Sequence, residues 1–495
     1  MTEGLAGWLD AAPAADVALR FEGRDITYGT LEARAGEIAG SLHALGIRHG
    51  DRVAMLGANT PDFLALVFAC ARLGGILVPL NWRLAAPEHA VILGDAEPAL
   101  LLHDDEFAGA AAAIRCELPG LATRDVATLP PGAIPATAGR SEDAVLIVYT
   151  SGTTGRPKGA VLTQAALAAN AVNSQDLHGF TRDDRVLTFL PMFHVGGLNI
   201  QTLPALRAGA TVVLQRRFQP DAALAALAAE HVTVTLVVPA VMRALVDHPG
   251  WAGADLSSLR MVGAGSSIIP LELIRAFHAR GLPVCQIYGS TETAPTAIVL
   301  TPADAFRKEG SAGLPARLCA AKIVDPAGTE LPPGEPGEIL VRGPNLMRGY
   351  WRALEATEAA LASGWFHTGD IGHRDAEGFF WVADRKNDLI ISGGENVYPA
   401  EVEAVLLECP DVADCAVVAR PDRRWGEVPV AVVVRRPGTR LGEAAARRLF
   451  EGRLARFKHP QEFHFVERLP RNAMGKVLRF RLRDALRAGR PLDEA

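Results

Sequence analysis

The chain has 495 residues, 49% of them hydrophobic and 21% charged, and a formal net charge of −6. That length exceeds one ordinary core and implies two or more domains. The charge gives no electrostatic argument for nucleic acid or for an anionic membrane surface.

The six cysteines (Cys70, Cys116, Cys285, Cys319, Cys409 and Cys415) stand singly, with no CxxC pair. Zinc-site spacing is therefore absent, and buried thiols in a reducing cytoplasm are the natural reading. The opening stretch MTEGLAGWLDAAPAADVALRF has no basic residue before Arg20 and does not resemble a signal peptide. The apolar run FLALVFACARLGGILVPL at 63–80 contains Arg72 and a GG pair. It reads as a core helix running into a buried strand rather than an integral membrane segment. A cytoplasmic protein is expected.

Through the first 300 or so residues, short β-branched runs such as VLIVYT (145–150) and TVTLVVP (233–239) alternate with helical stretches. AALAALAAEHV (222–232) and LELIRAFHARG (271–281) are two of these. The alternation predicts an α/β fold of helix-covered parallel sheets. From about residue 311 glycine and proline become frequent and strands short, as in LPPGEPGEILVRGPNLMRGYW, which predicts a small β-rich subdomain. A last region from 386 predicts a compact α+β C-terminal domain. It holds a helix from Pro399, strands at 414–420 and 428–436, and a helix through LGEAAARRLFEGRLARF. The expected domains are 1–385 and 386–495.

The stretch YTSGTTGRPKG at 149–159 follows an apolar strand, and a helix is expected from about Thr163. It fails the GxxxxGK[ST] pattern, having Pro157 and Gly159 where that pattern needs Gly and Ser or Thr. Its chemistry still suits a polyphosphate. Glycines let backbone N–H groups approach a ligand, Ser151, Thr153 and Thr154 add hydroxyl donors, and Lys158 supplies a mobile counter-charge.

This stretch resembles the signature of the adenylate-forming enzymes: acyl-CoA synthetases, firefly luciferases and peptide-synthetase adenylation domains. PMFHVGG (191–197), QIYGSTET (286–293), WFHTGD (365–370), DRKNDLIISGGENVYPAEVE (384–403) and NAMGK (472–476) match further family motifs in the family's order. The resemblance implies a two-step reaction using ATP, Mg2+ and coenzyme A. A carboxylate attacks the α-phosphorus of ATP to give an acyl-adenylate and pyrophosphate, and a thiol then attacks the activated carbonyl.

It also implies roles, residue by residue. Thr150, Ser151, Gly152, Thr153, Thr154, Gly155 and Lys158 hold the phosphates. Glu292 holds Mg2+ with Thr150, Thr291 contacts the adenylate phosphate, and Tyr288 and Gly289 belong to the nucleotide site. Asp370 accepts both ribose hydroxyls, a task for a short acceptor-only carboxylate, and Arg385 is a second ribose contact. Lys476 bridges the attacking carboxylate and the α-phosphate as a catalytic point charge.

The C-terminal domain of the family is mobile, and by position its hinge falls at Asn387, where Asp or Lys is more usual. Gly393 and Gly394 line the pantetheine tunnel; Trp425 stacks on the CoA adenine, flanked by Phe457 and Lys458. His459 replaces a basic residue of close relatives, which puts a phosphate contact there in doubt.

His194, grouped with the catalytic residues, lies at the mouth of an acyl pocket. That pocket is expected to be lined by Val195, Gly196, Gly263, Ala264, Gly265, Gly289, Ala294 and Pro295. Small, uncharged residues point to a roomy apolar pocket and to a medium-to-long fatty acid. An aryl or cinnamate-type acid is the alternative. An amino acid fits less well, because Val195 stands where adenylation domains place an acid. Homodimers occur in the family, but nothing in the sequence fixes one.

Overall fold

The computed structural model of the chain describes residues 4–136, 138–151, 157–266, 269, 271–385, 390–397, 399–470, 477 and 479–492. It divides into two compact units. The first holds residues 1–82, 93–150 and 159–384; the second holds 83–92, 151–158 and 385–495.

The larger unit is built on two mainly parallel sheets. Among the described residues one has nine strands, its centre ordered Val284–Tyr288, Met261–Gly265, Val234–Val237, Arg185–Thr188, Thr211–Leu214, Val17–Phe21. These neighbours run parallel, and antiparallel strands close both edges. The other has seven strands and contains Ala144–Ser151 and Pro157–Thr163 as neighbours, with the two-residue strand Gly349–Tyr350 at its edge.

The run at 63–80 illustrates how sequence makes these layers. Thr60 caps the helix Pro61–Leu73 by accepting from the Phe63 N–H, and Gly74 at φ 68° ends it. The strand Ile76–Leu80 follows, with all five residues buried. The helix is apolar on every side because it is packed against the helix Tyr28–Ala44 and within the shared core. Among the described residues no helix is long and apolar enough to cross a membrane.

A four-stranded sheet (Ala320–Val324, Gly337–Arg342, Phe366–Arg374, Phe380–Arg385) forms the β-rich part, its first three strands antiparallel. The expected helix near Thr163 is present as Gln164–His178, with Thr163 accepting from the Ala166 N–H. It does not follow the glycine-rich stretch directly, because the strand Pro157–Thr163 stands between. The helix expected at 271–281 ends at His278, and Pro239 opens a helix where the strand at 233–239 was read to its end.

In the smaller unit a five-stranded sheet includes Val412–Asp422 and Gly426–Arg435. Their apolar runs are continuous because both faces are covered. Cys415, Val417, Ala431 and Val433 join one core with Val402 and Ala446. Ala416, Val418, Val430 and Val432 join another with Leu482 and Ala485. The long helix read through LGEAAARRLFEGRLARF is shorter in the structure, Glu443–Arg448. Gly452, at φ 68°, takes a left-handed conformation that breaks the run, and Arg456–Lys458 forms a single 3-10 turn.

Candidate active site

Two carboxylates of the larger unit are each fixed by a tyrosine. Glu292 lies on the short 3-10 turn Thr291–Thr293 and is 8% exposed. Its Oε1 accepts from the Tyr350 hydroxyl at 2.8 Å. The backbone beneath it is tied as well, since the Met347 N–H donates to the Glu292 carbonyl at 2.7 Å. Thr291 beside it is half-buried.

Asp370 is presented by a bulge. Between the pairs Glu338↔Ile371 and Leu340↔His367, the single residue Ile339 faces Thr368, Gly369 and Asp370. Extra residues in one strand bend it and re-aim a side chain, a device common beside active sites. The bulge is held by Thr368 donating to the Ile339 carbonyl at 2.7 Å and by the Asp370 N–H donating to Thr368 Oγ1 at 3.1 Å. Asp370 Oδ2 then accepts from the Tyr288 hydroxyl at 2.9 Å, leaving Asp370 half-buried. Tyr288 ends the strand Val284–Tyr288, at the C-terminal edge of a mainly parallel sheet where ligands bind in open α/β folds.

Tyr149 precedes the glycine-rich stretch and donates to Asp95 Oδ2. Burial, with the bond to Asp95, raises its pKa well above the usual tyrosine value. Thr150 and Lys158 are half-buried on the strands that flank the stretch. Gly152, Thr153, Thr154, Gly155, Asn387 and Lys476 lie outside the described residues, and only the backbone of Ser151 and Arg385 is described.

The PMFHVGG segment leads into a π-helical turn, Gly196–Thr202, a feature frequent at functional sites. The His194 ring packs on Phe193, with centroids 4.5 Å apart. Of the four glycines expected to line the acyl pocket, two are small for another reason. A methyl on Gly289 would stand 1.7 Å from the Pro295 carbonyl oxygen, and one on Gly265 2.5 Å from that of Ile287. One on Gly263 would stand 3.1 Å from Leu236. Only Gly196 of the four opens onto space, with nothing within 4 Å.

Sequence reading passed over two residues here. Tyr350 falls in the Gly/Pro-rich stretch read only as part of a small β-rich subdomain. Asn199 stands three residues beyond Gly196, is 1% exposed, and has neither amide atom hydrogen-bonded.

In the smaller unit Gly393 and Gly394 have φ of 61° and 83° and form the bend between the paired strands Ile390–Ser392 and Glu395–Val397. The Gly393 N–H donates to the Trp425 carbonyl at 2.8 Å, and a methyl on Gly393 would lie 2.8 Å from the Trp425 ring. The structure thus brings Trp425 onto the expected tunnel glycines while leaving it 42% exposed.

Lys458 departs from its expected role. Its ammonium is 2.7 Å from Glu88 and 2.8 Å from Glu401, and the residue is 5% exposed. Burial alone would lower its pKa, but the two carboxylates hold it above the ordinary lysine value. A buried, doubly paired lysine is unavailable to flank an adenine. His459 is also engaged, its Nε2 2.9 Å from the Leu454 carbonyl oxygen.

Among the described residues no cluster of three or more His, Cys, Asp or Glu could hold a metal by itself. A single carboxylate oxygen at Glu292 fits Mg2+, a hard cation usually bound through one or two carboxylates and substrate phosphates.

Comparison with known proteins identifies the class. The model of the AMP-binding enzyme family matches residues 7–351, and that of the AMP-binding enzyme C-terminal domain matches 401–476. The chain belongs to this family and is an AMP-forming acid–thiol ligase that uses ATP and CoA. It is 51% identical over 490 residues to an indoleacetate–CoA ligase of Aromatoleum aromaticum, covering 96% of each chain. It is 42% identical over 492 residues to a feruloyl-CoA synthase of Amycolatopsis, covering 97% of this chain and 99% of the relative. Among solved structures, o-succinylbenzoate CoA synthetase from Bacillus subtilis, bound to a product analogue, matches with a TM-score of 0.89 at 36% identity. That match covers 97% of this chain and 98% of the other.

Proposed function

We propose that the chain activates an aromatic carboxylic acid as its acyl-adenylate and passes the acyl group to CoA. The observation that carries this reading is the 51% identity to an indoleacetate–CoA ligase across 96% of both chains. One feature of the acyl segment supports it. The fatty-acid expectation rested on small residues, yet Gly265 and Gly289 are small because backbone carbonyls press on them.

The residues divide the work as follows. The stretch Thr150–Gly155 with Lys158 holds the β- and γ-phosphates, and Glu292 would hold Mg2+, which would supply positive charge against the phosphates. Asp370 takes the ribose diol, oriented by Tyr288. Lys476 bridges the substrate carboxylate and the α-phosphate. In the second step the left-handed bend at Gly393 and Gly394 lies beside the pantetheine arm, and Trp425, packed on Gly393, stacks on the CoA base.

The test is CoA-dependent pyrophosphate release with indoleacetate, phenylacetate, benzoate, ferulate, octanoate and palmitate. The reading requires kcat/KM for at least one aromatic acid to exceed that for either fatty acid by about tenfold or more, the low end of what a single methylene is worth in an apolar pocket. Preference for octanoate or palmitate would return the assignment to fatty acids.

A further inference from the structure

We propose that Tyr350 is a positioning residue for Glu292, holding one carboxylate oxygen so that the other faces the metal; this rests on the assignment of Glu292 to Mg2+ above. Glu292 is buried, and its side chain accepts one hydrogen bond among the described residues, from the Tyr350 hydroxyl to Oε1. A carboxylate so tethered loses its freedom to rotate, and Oε2 is left as the oxygen for a cation.

The tether has a firm base. Tyr350 sits on the edge strand Gly349–Tyr350, which pairs with the strand leaving the glycine-rich stretch through Gly349↔Val161 and Tyr350↔Ala160. The Trp351 N–H donates to the Gly159 carbonyl at 2.7 Å, and the Tyr350 N–H to Thr357 Oγ1 at 2.8 Å. From three residues upstream, Met347 secures the Glu292 backbone. One short segment thus ties the metal-side carboxylate to the strand beyond the phosphate-binding stretch. It fixes both where the carboxylate sits and how it turns. Groups that orient a metal ligand in this way are typically worth 10–100-fold in metal affinity.

The experiment is a Mn2+ titration of the full-length enzyme with a non-hydrolysable ATP analogue, read by loss of the free-ion EPR signal. Tyr350→Phe keeps the ring and removes only the donor, so Mn2+ affinity falls about tenfold or more. Glu292→Gln lowers it at least as far, and the double variant no further than Glu292→Gln, because both changes break one interaction. Should Tyr350→Phe lose the fold, 3-fluorotyrosine at position 350, a more acidic donor, must still shift the affinity.

Tyr350→Phe within twofold of the unmodified enzyme, with Glu292→Gln impaired, overturns the proposal and leaves the Glu292 assignment standing. Independent losses in the double variant also overturn it, since Tyr350 would then act by another route. Unchanged affinity in Glu292→Gln would instead remove the assignment on which the proposal rests.

Discussion

Glu292 and Asp370 are lone carboxylates each held by a tyrosine hydroxyl, and Asp370 is also presented on a bulge. Both were visible in the sequence as members of short motifs. Tyr350 was not, because its partner lies 58 positions away and only the edge-strand pairing brings them together. Asn199 was missed for a different reason: an asparagine after PMFHVGGL carries no sign of whether its amide is paired. Lys476 is the residue with the sharpest expected phenotype. Lys476→Ala should slow ATP–pyrophosphate exchange by about 100-fold or more, as for loss of one transition-state donor. Thioester formation from preformed acyl-adenylate should stay near normal. Equal loss of both half-reactions would remove Lys476 from the adenylation step.

Elements explain which small residues matter. Gly289 passes against the Pro295 carbonyl, so Gly289→Ala should destabilise the larger unit by roughly 2 kcal/mol or more, measured by urea unfolding. Gly196→Ala, facing open space, should change stability by less than about 0.5 kcal/mol while raising KM for the acid. The reverse ranking would mean that the acyl segment is organised differently. Glycine richness alone could not separate these two cases, since both read as a missing side chain. In the smaller unit Trp425→Ala should raise KM for CoA roughly tenfold, the value of one base–aromatic stack, and leave ATP–pyrophosphate exchange intact. The strand–helix alternation of the first 300 or so residues was legible from β-branched runs and Ala/Leu-rich stretches. The helix Glu443–Arg448 is shorter than the Ala/Arg/Leu run suggests, because a left-handed glycine at 452 lies within that run.

Across the whole molecule, two buried titratable groups of the larger unit oppose each other in acid. Burial lowers the His178 pKa to about 4, so between pH 6.5 and 4 the unfolded chain binds a proton that the fold refuses. Stability falls as pH drops through that window, by up to about 3 kcal/mol from this group. Burial raises the Asp104 carboxyl to about 6 despite the Ala58 N–H it accepts. The fold therefore keeps a proton between pH 3.8 and 6 that the unfolded chain gives up, and falling pH relieves its penalty. Asp104→Asn should leave the His178 term unopposed and steepen the acid loss in urea unfolding between pH 6 and 4; an unchanged slope would contradict it. CoA-thioester formation with indoleacetate against palmitate, under saturating ATP, Mg2+ and CoA, decides the substrate class. An aromatic-acid ligase predicts robust, ATP-dependent indoleacetyl-CoA and little palmitoyl-CoA. Efficient palmitoyl-CoA formation with no aromatic thioester would contradict it.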